Sequence, residues 1–282
     1  RDIEMKISSK VTALILVLSL TLSSLSSAQQ KENKITENTI LKKVQVNVTQ
    51  GVAVDANFYY AISNTSVVKF RKEDDKQIAI WNADKNDELY KHFQHMNSGV
   101  VHEDKLYCAH SNKKTKLNTI EIWDVSGDKL QHISTWKLTA TTKTHGYITW
   151  ADRHSDGSWW ACYEMYGKKN SQTKLFQGEF KDGDFIEKKQ WSFPKEVIAN
   201  WGHSYYSSCS GGSWGQDGLL YTTGHGNRET YVLKVDDEGE LKYVRTEKNM
   251  GFSGQAIAWD RSNPQPVLWG IRRGKGISQT LI

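Results

Sequence analysis

Residues 49–55 read TQGVAVD, and the spacing of that stretch recurs along the chain. It returns as SGVVHED at 98–104, GYITWAD at 146–152, GGSWGQD at 211–217 and GQAIAWD at 254–260, each opening on a small residue with an aspartate six positions later. A second run follows every copy: FYYAISN, KLYCAHS, SWWACYE, LLYTTGH and VLWGIRR. In each run an aromatic residue precedes a small one, at Tyr60-Ala61, Tyr107-Cys108, Trp160-Ala161, Tyr221-Thr222 and Trp269-Gly270. A strand pair that recurs at a fixed outline is the mark of a repeat architecture.

Third strands follow as SVVKFRK, NTIEIWDV, TKLFQGEF, ETYVLKV and GISQTLI, and fourth strands as KQIAIWN, LQHISTWKL, FIEKKQWSF and ELKYVRT. The fifth unit lacks a fourth strand, and one strand, ILKKVQVNV at 40–48, is left over near the N-terminus. Turn signals such as HSDGS, KDGDF and DDEGE separate the runs, and no long segment has helical periodicity. The pattern predicts an all-β, five-bladed β-propeller closed by the N-terminal strand, so that the last blade keeps no open edge. Six blades would need a blade within 193–210, which has too few strand residues; a β-sandwich is the other all-β arrangement. The repeated aspartates Asp55, Asp104, Asp152, Asp217 and Asp260 fall in turns, where Asp accepts hydrogen bonds from nearby backbone amides, and are read as structural.

The 282-residue chain carries 37 Lys and Arg against 32 Asp and Glu, a net charge of +5, with the lysines scattered. No basic stripe suggests a nucleic-acid partner. From Met5, Lys6 and Lys10 precede an apolar run over Val11–Leu22, and Ser26-Ser27-Ala28 offers small residues for cleavage before Gln29. This predicts upstream residues and a secretory signal peptide over 1–28, a single propeller domain over 29–282, and a secreted or periplasmic monomer that leaves the membrane once cleaved. Cys108, Cys162 and Cys209 allow one disulfide without requiring it.

In a propeller the first strand of each blade lines the axis and the second returns beside it. Residues just before strand one and just after strand two therefore meet at one axial mouth, a natural ligand cleft. Before strand one come Thr49, Gln50, Asn97, Ser98, His145, Ser210, Gly211, Ser253, Gly254 and Gln255. After strand two come Asn64, His110, Ser111, Glu164, Tyr166, His225, Asn227, Arg228, Arg272 and Arg273. His203, in the insertion NWGHSYYSSCSGG, can reach the same mouth. The stretch THGYITWADRH (144–154) is thereby divided, with His145 at the mouth and His154 in a turn at the far end. Histidine suits proton transfer near neutrality, and arginine suits carboxylate or phosphate recognition. The expected catalytic set is His145, Glu164 and His225. The expected substrate-binding set is Gln50, Asn97, His110, Tyr166, His203, Arg228, Gln255 and Arg272. Trp201 lies outside the strand pattern and is a candidate ring for stacking on a sugar.

No HExxH, paired-cysteine or EF-hand spacing is present, and SCSGGSWGQDG lacks the Gly-Lys-Ser/Thr ending of a phosphate loop. No cofactor is expected. A metal would need His110, His145, His203 and His225 turned inward together.

The set TQGVAVD…YAIS, NSGVV…LYCAHSN…IEIW, TWADRH, SGGSWGQDGLLYTTGH and GQAIAWD…WGI resembles exported bacterial β-propeller proteins often labelled cycloisomerase-like. The resemblance covers nearly all of the chain beyond its leader. The label implies kinship with seven-bladed propellers that lactonise muconate-type dicarboxylates, two blades more than the repeat gives here. Where that group carries a Tyr-Pro-containing segment, this chain has the lysine-rich NKKTKLN at 112–118. Two functions then compete. One is an exported enzyme of isomerase, lactonase or carbohydrate-active type, acting on a small anionic or sugar-derived molecule. The other is a non-catalytic propeller that binds a saccharide or a protein. The mouth residues differ from blade to blade (Asn64, Ser111, Glu164, His225, Arg273), which favours one pocket over five equivalent sites.

Overall fold

The computed structural model describes residues 38–84, 86, 91–202, 207–237 and 239–282. The expected leader and cleavage site, and His203, lie outside the described residues. Five four-stranded antiparallel sheets are present. The first blade is β2 (Gly51–Val54), β3 (Phe58–Ser63), β4 (Ser66–Arg71) and β5 (Gln77–Asn82). The second is β6 (Met96–His102), β7 (Lys105–Asn112), β8 (Leu117–Asp124) and β9 (Gln131–Lys137). The third is β10 (Tyr147–Arg153), β11 (Trp159–Glu164), β12 (Lys174–Lys181) and β13 (Asp184–Ser192). The fourth is β14 (Gly211–Trp214), β15 (Leu220–Thr223), β16 (Glu229–Lys234) and β17 (Lys242–Lys248). The fifth is β18 (Ile257–Trp259), β19 (Val267–Arg272) and β20 (Gly276–Leu281), completed by β1 (Thr39–Val44). β1 runs antiparallel to β20, with Thr39 opposite Leu281 and Val44 opposite Ile277. The closing strand ends at Val44, four residues short of the expected Val48, and β18 starts at Ile257 rather than Gly254. A short helix, α1 (Lys195–Asn200), lies between blades three and four.

The inner strands β2, β6, β10, β14 and β18 neighbour one another in that order, and β18 returns to β2. The core follows the ring as five apolar clusters, one between each pair of successive blades. Alternation along a strand feeds both sides: Tyr59 packs toward the fifth blade and Tyr60 toward the second, each fully buried. This explains the near-continuous apolar runs of the second strands, which have no solvated face. Each large apolar side chain so buried contributes roughly 1.5–3 kcal/mol.

In three blades the recurring aspartate and aromatic residue are one device. Asp55 accepts the Asn57 and Phe58 amides at 2.8 Å and the Tyr60 hydroxyl at 2.5 Å. Asp217 accepts the Leu219 amide and the Tyr221 hydroxyl, and Asp260 the Ser262 amide and the Trp269 indole N–H. The aspartate thus closes the first turn and holds the aromatic side chain of the next strand. Asp152 differs: it is buried and accepts from Ser213 Oγ, the Trp214 amide and Arg261, tying blade three to blades four and five. Inner strands approach so closely that a Cβ at Gly51 would sit 2.7 Å from Ala256 Cβ and 2.9 Å from the Asn97 carbonyl oxygen. Cys108, Cys162 and Cys209 are all buried free thiols.

Candidate functional site

At the end of the axis where the inner strands begin lies a cavity of about 250 Å³. Its walls are Gln50, His95, Asn97, Lys113, Thr149, Glu164, Tyr166, Ser210, His225, Gln255 and Arg273, drawn from all five blades. Strand register delivers them. Gln50, Ser210 and Gln255 stand just before inner strands, while Glu164 ends β11 and His225 follows β15. Gln255 takes a left-handed backbone (φ 64°), with its carbonyl accepting the Thr223 hydroxyl at 2.5 Å.

Arg273 organises the polar groups. Its Nε donates to the Thr49 carbonyl at 2.9 Å, and its Nη2 faces Gln50 Oε1 at 3.3 Å and Gln255 Oε1 at 3.4 Å. A guanidinium has only donors, so both glutamine carbonyls must turn toward it. The amide of Gln255 then donates to His225 Nδ1 at 3.1 Å, and Ser210 Oγ lies 3.4 Å from the same nitrogen. The amide of Gln50 donates to Asn64 Oδ1 at 2.5 Å, and the same oxygen lies 3.0 Å from His95 Nδ1, which must donate to it. The two histidines therefore take opposite tautomers. His225 keeps its proton on Nε2 and can donate there; His95 keeps a lone pair on Nε2 and can accept. Burial is the main cause that keeps both imidazoles uncharged, holding His95 down to about 4 with help from the charges of Lys113 and Arg273, and lowering His225 with help from Arg273.

Glu164 is 2% exposed, and its Oε2 has no hydrogen-bond partner among the described residues. Burial pushes its carboxyl well above the usual carboxylate range, outweighing the opposing pull of the Ser208 hydroxyl and the Lys113 charge. Glu164 is thus a neutral acid in a pocket that carries the cations Lys113 and Arg273. Lys113 also lies 5.7 Å from the centre of the Tyr147 ring, which packs on Tyr166.

Of the expected site residues, Gln50, Asn97, Glu164, Tyr166, His225 and Gln255 line this cavity together. His145 does not. Gly146 takes φ 90°, so the chain turns before β10, and the His145 ring packs on Tyr163 and Phe176 with Nε2 3.4 Å from Glu187. His110 is sealed inside blade two, because β7 continues to Asn112 and places it within the sheet. Arg228 donates to the Met250 and Asn249 carbonyls, and Arg272 faces a groove beside Lys43 and Lys275. Trp201 is fully buried against Phe193 and presents no stacking face. His154 sits in the turn at the opposite end, as the register implies, with its ring edge-on to Trp214 at 4.6 Å. His95, Lys113 and Thr149 enter the pocket without having been singled out. His95 and Lys113 immediately flank strands that run longer than the repeat suggests, β6 by two residues at its start and β7 by one at its end.

His110, His145 and His225 are too dispersed to form a metal set. A different group, His92, His110 and Glu121, brings its ligand atoms within 4.8 Å of one another. Here Glu121 is fully buried and already saturated: Oε1 accepts from His92 at 2.7 Å and Thr119 at 2.5 Å, and Oε2 from His132 at 3.0 Å and Thr135 at 2.7 Å. His110 Nδ1 bonds Thr119 Oγ1 at 2.7 Å, while its Nε2 accepts the Gln94 amide at 3.3 Å. As arranged, these groups form a closed hydrogen-bond network, and a metal would have to displace several of its members.

No family model matches the chain, and no curated protein matches it. Among solved structures it is similar to a protein described as an oxidoreductase (glucose dehydrogenase) from Thermus thermophilus. That match has 11% identity, covers 87% of this chain and 99% of that one, and has a TM-score of 0.51. It is also similar to virginiamycin B lyase from Staphylococcus aureus, with 11% identity, 87% and 100% coverage and a TM-score of 0.44. A third similar structure is the WD40 β-propeller domain of Doa1, with 12% identity, 88% and 98% coverage and a TM-score of 0.43. The neighbours are β-propellers and include enzymes; at these identities the likeness shows the fold alone.

Proposed function

We propose that this propeller is an exported enzyme whose axial pocket takes one small, carboxylate-bearing, sugar-derived molecule and performs acid–base chemistry on it. Lactone formation or opening and sugar-acid isomerisation are the reactions that suit it, in keeping with the resemblance to cycloisomerase-like propellers. The observation that carries this reading is Glu164, a buried neutral acid with an unpartnered oxygen, in a pocket with two cations. A carboxylic acid held protonated near neutral pH can donate a proton to a ring or leaving-group oxygen. Arg273 and Lys113 would hold the ligand's carboxylate, and a bound anion would raise the basicity of His95, whose free Nε2 would take up a proton. His225 would donate from Nε2 to a second oxygen. Asn97, Gln50 and Gln255 add the amide groups that hydroxyls need.

The test pairs binding with turnover. Sugar acids, their lactones and neutral oligosaccharides are offered to the wild-type protein and to Glu164→Gln, which keeps the shape and neutrality but not the acid. Turnover should fall roughly 10²–10⁴-fold with binding retained. Equal turnover in the variant would refute the role of Glu164. Saturable binding by wild type with no turnover of any compound would leave a saccharide-binding propeller instead.

A further inference from the structure

A second cavity, of about 390 Å³, opens at the other end of the axis. It is built where the inner strands finish: His102 ends β6, Arg153 ends β10, Trp214 ends β14, and Arg261 follows β18. From Thr149 in the axial pocket to Arg153 is four residues of extended strand, about 13 Å at the usual rise. The two cavities are therefore different sites on the same inner strands.

The walls are rich in donors. The Arg153 guanidinium is half-buried and has no hydrogen bond or ion pair among the described residues. Arg261 directs one nitrogen to Asp152 at 2.5 Å and the Trp214 carbonyl at 3.3 Å, which fixes its plane and leaves the rest of its fork uncommitted. Trp214 is 3% exposed, and its indole N–H has no acceptor among the described residues. His154 lies on the Trp214 ring, and His102 approaches Glu103 at 3.4 Å. A cavity with an uncommitted guanidinium and a second one locked in place asks for an anion.

We propose that this second cavity binds a tetrahedral oxyanion group, phosphate or sulfate, carried on a small organic molecule. The donors His102, Arg153 and Arg261 stand on the ends of three different inner strands around the axis, so they approach the cavity from different sides. That arrangement satisfies three outward oxygens better than the two coplanar oxygens of a carboxylate. The volume leaves room beside the oxyanion for an organic residue of about sugar size. Burial and the nearby charges of Arg153, Arg261 and Lys105 lower the basicity of His102, against the pull of Glu103, so the imidazole is neutral in the empty cavity and would gain a proton with the anion.

Calorimetric titration with hexose 6-phosphate, hexose 6-sulfate, inorganic phosphate and plain hexose tests this. One or both esters should bind saturably and more tightly than inorganic phosphate, and hexose should not bind. Arg153→Gln should weaken the ester at least tenfold, while Arg273→Gln, at the other mouth, should leave it unchanged. The Arg153 guanidinium makes no hydrogen bond or ion pair among the described residues, so the variant should melt as wild type does; Arg153→Lys, which keeps the charge but loses the fork, should fall between. Absence of saturable binding by either ester overturns the proposal. So does ester binding that survives Arg153→Gln or is lost in Arg273→Gln. Phosphate and sulfate esters differ in charge, and the tighter of the two identifies the source of the oxyanion.

Discussion

Lowering the pH from 7 to 5 should weaken this propeller through two buried histidines, before its exposed carboxylates protonate. His110 is fully buried, accepts the Gln94 amide on Nε2 and donates from Nδ1 to Thr119, so its charged form has neither water nor a vacant acceptor. Burial holds it down to about 3, against the pull of Glu121, with the charges of His92 and His95 adding to the depression. His95 is held down to about 4. An unfolded histidine titrates near 6.5. Both folded values are lowered, so the unfolded chain takes up protons first. The stability is therefore present above about pH 6.5 and is lost as pH falls toward 4 and then 3. Between pH 7 and 5 each histidine costs about 2 kcal/mol, or about 4 kcal/mol for the pair. Taken alone, that histidine loss corresponds to a fall in Tm of roughly 8–16 °C for a domain of this size; Glu164, protonated in the folded state but ionised in the unfolded chain over the same range, offsets part of it. Denaturant melts across pH 7 to 5 on wild type and on His95→Asn, which can still donate to Asn64, measure it: the variant should lose about 2 kcal/mol less than wild type over that range. A variant with the same pH slope as wild type would refute the reasoning, because it would mean that His95 charges freely in the folded protein.

Two packing predictions follow. Gly51→Ala drives a methyl group into Ala256 Cβ and the Asn97 carbonyl oxygen, 2.7 and 2.9 Å away, and should cost roughly 1–3 kcal/mol by chemical denaturation while disturbing Gln50 next to it. Glu121→Gln puts an amide N–H₂ among four donors, and should cost about 3 kcal/mol in the same assay.

The blades were legible because in three of them the aspartate and the aromatic residue that recur in sequence are the same pair that bond in space, as with Asp55 and Tyr60. Alternation of buried side chains supplied the rest, since Tyr59 and Tyr60 serve two different blade interfaces. The axial mouth was legible to the extent that strand ends were. Glu164 and His225 lie where the repeat register puts them. His95 was hidden by a bulge in β6 between Met96 and Gly99, which starts the strand earlier than the repeat pattern does. Arg272 and Arg273 show how much turns on a single position: neighbours in a strand end face opposite ways, and Arg273 enters the pocket. Gly146, with its positive φ, directs His145 outward, and nothing in the spacing of THGYITWADRH distinguishes that turn from a straight strand start. The tautomers of His95 and His225 depend on a three-dimensional chain through Arg273 and two glutamines, which no linear pattern encodes.

The most direct test of the account is a crystal structure of the protein soaked with a sugar acid that it binds. The account predicts the ligand's carboxylate on Arg273 and Lys113, with a ring or hydroxyl oxygen within about 3.2 Å of Glu164 and another within the same reach of His95 or His225. A ligand seated elsewhere, with Glu164 and Arg273 untouched, would contradict it.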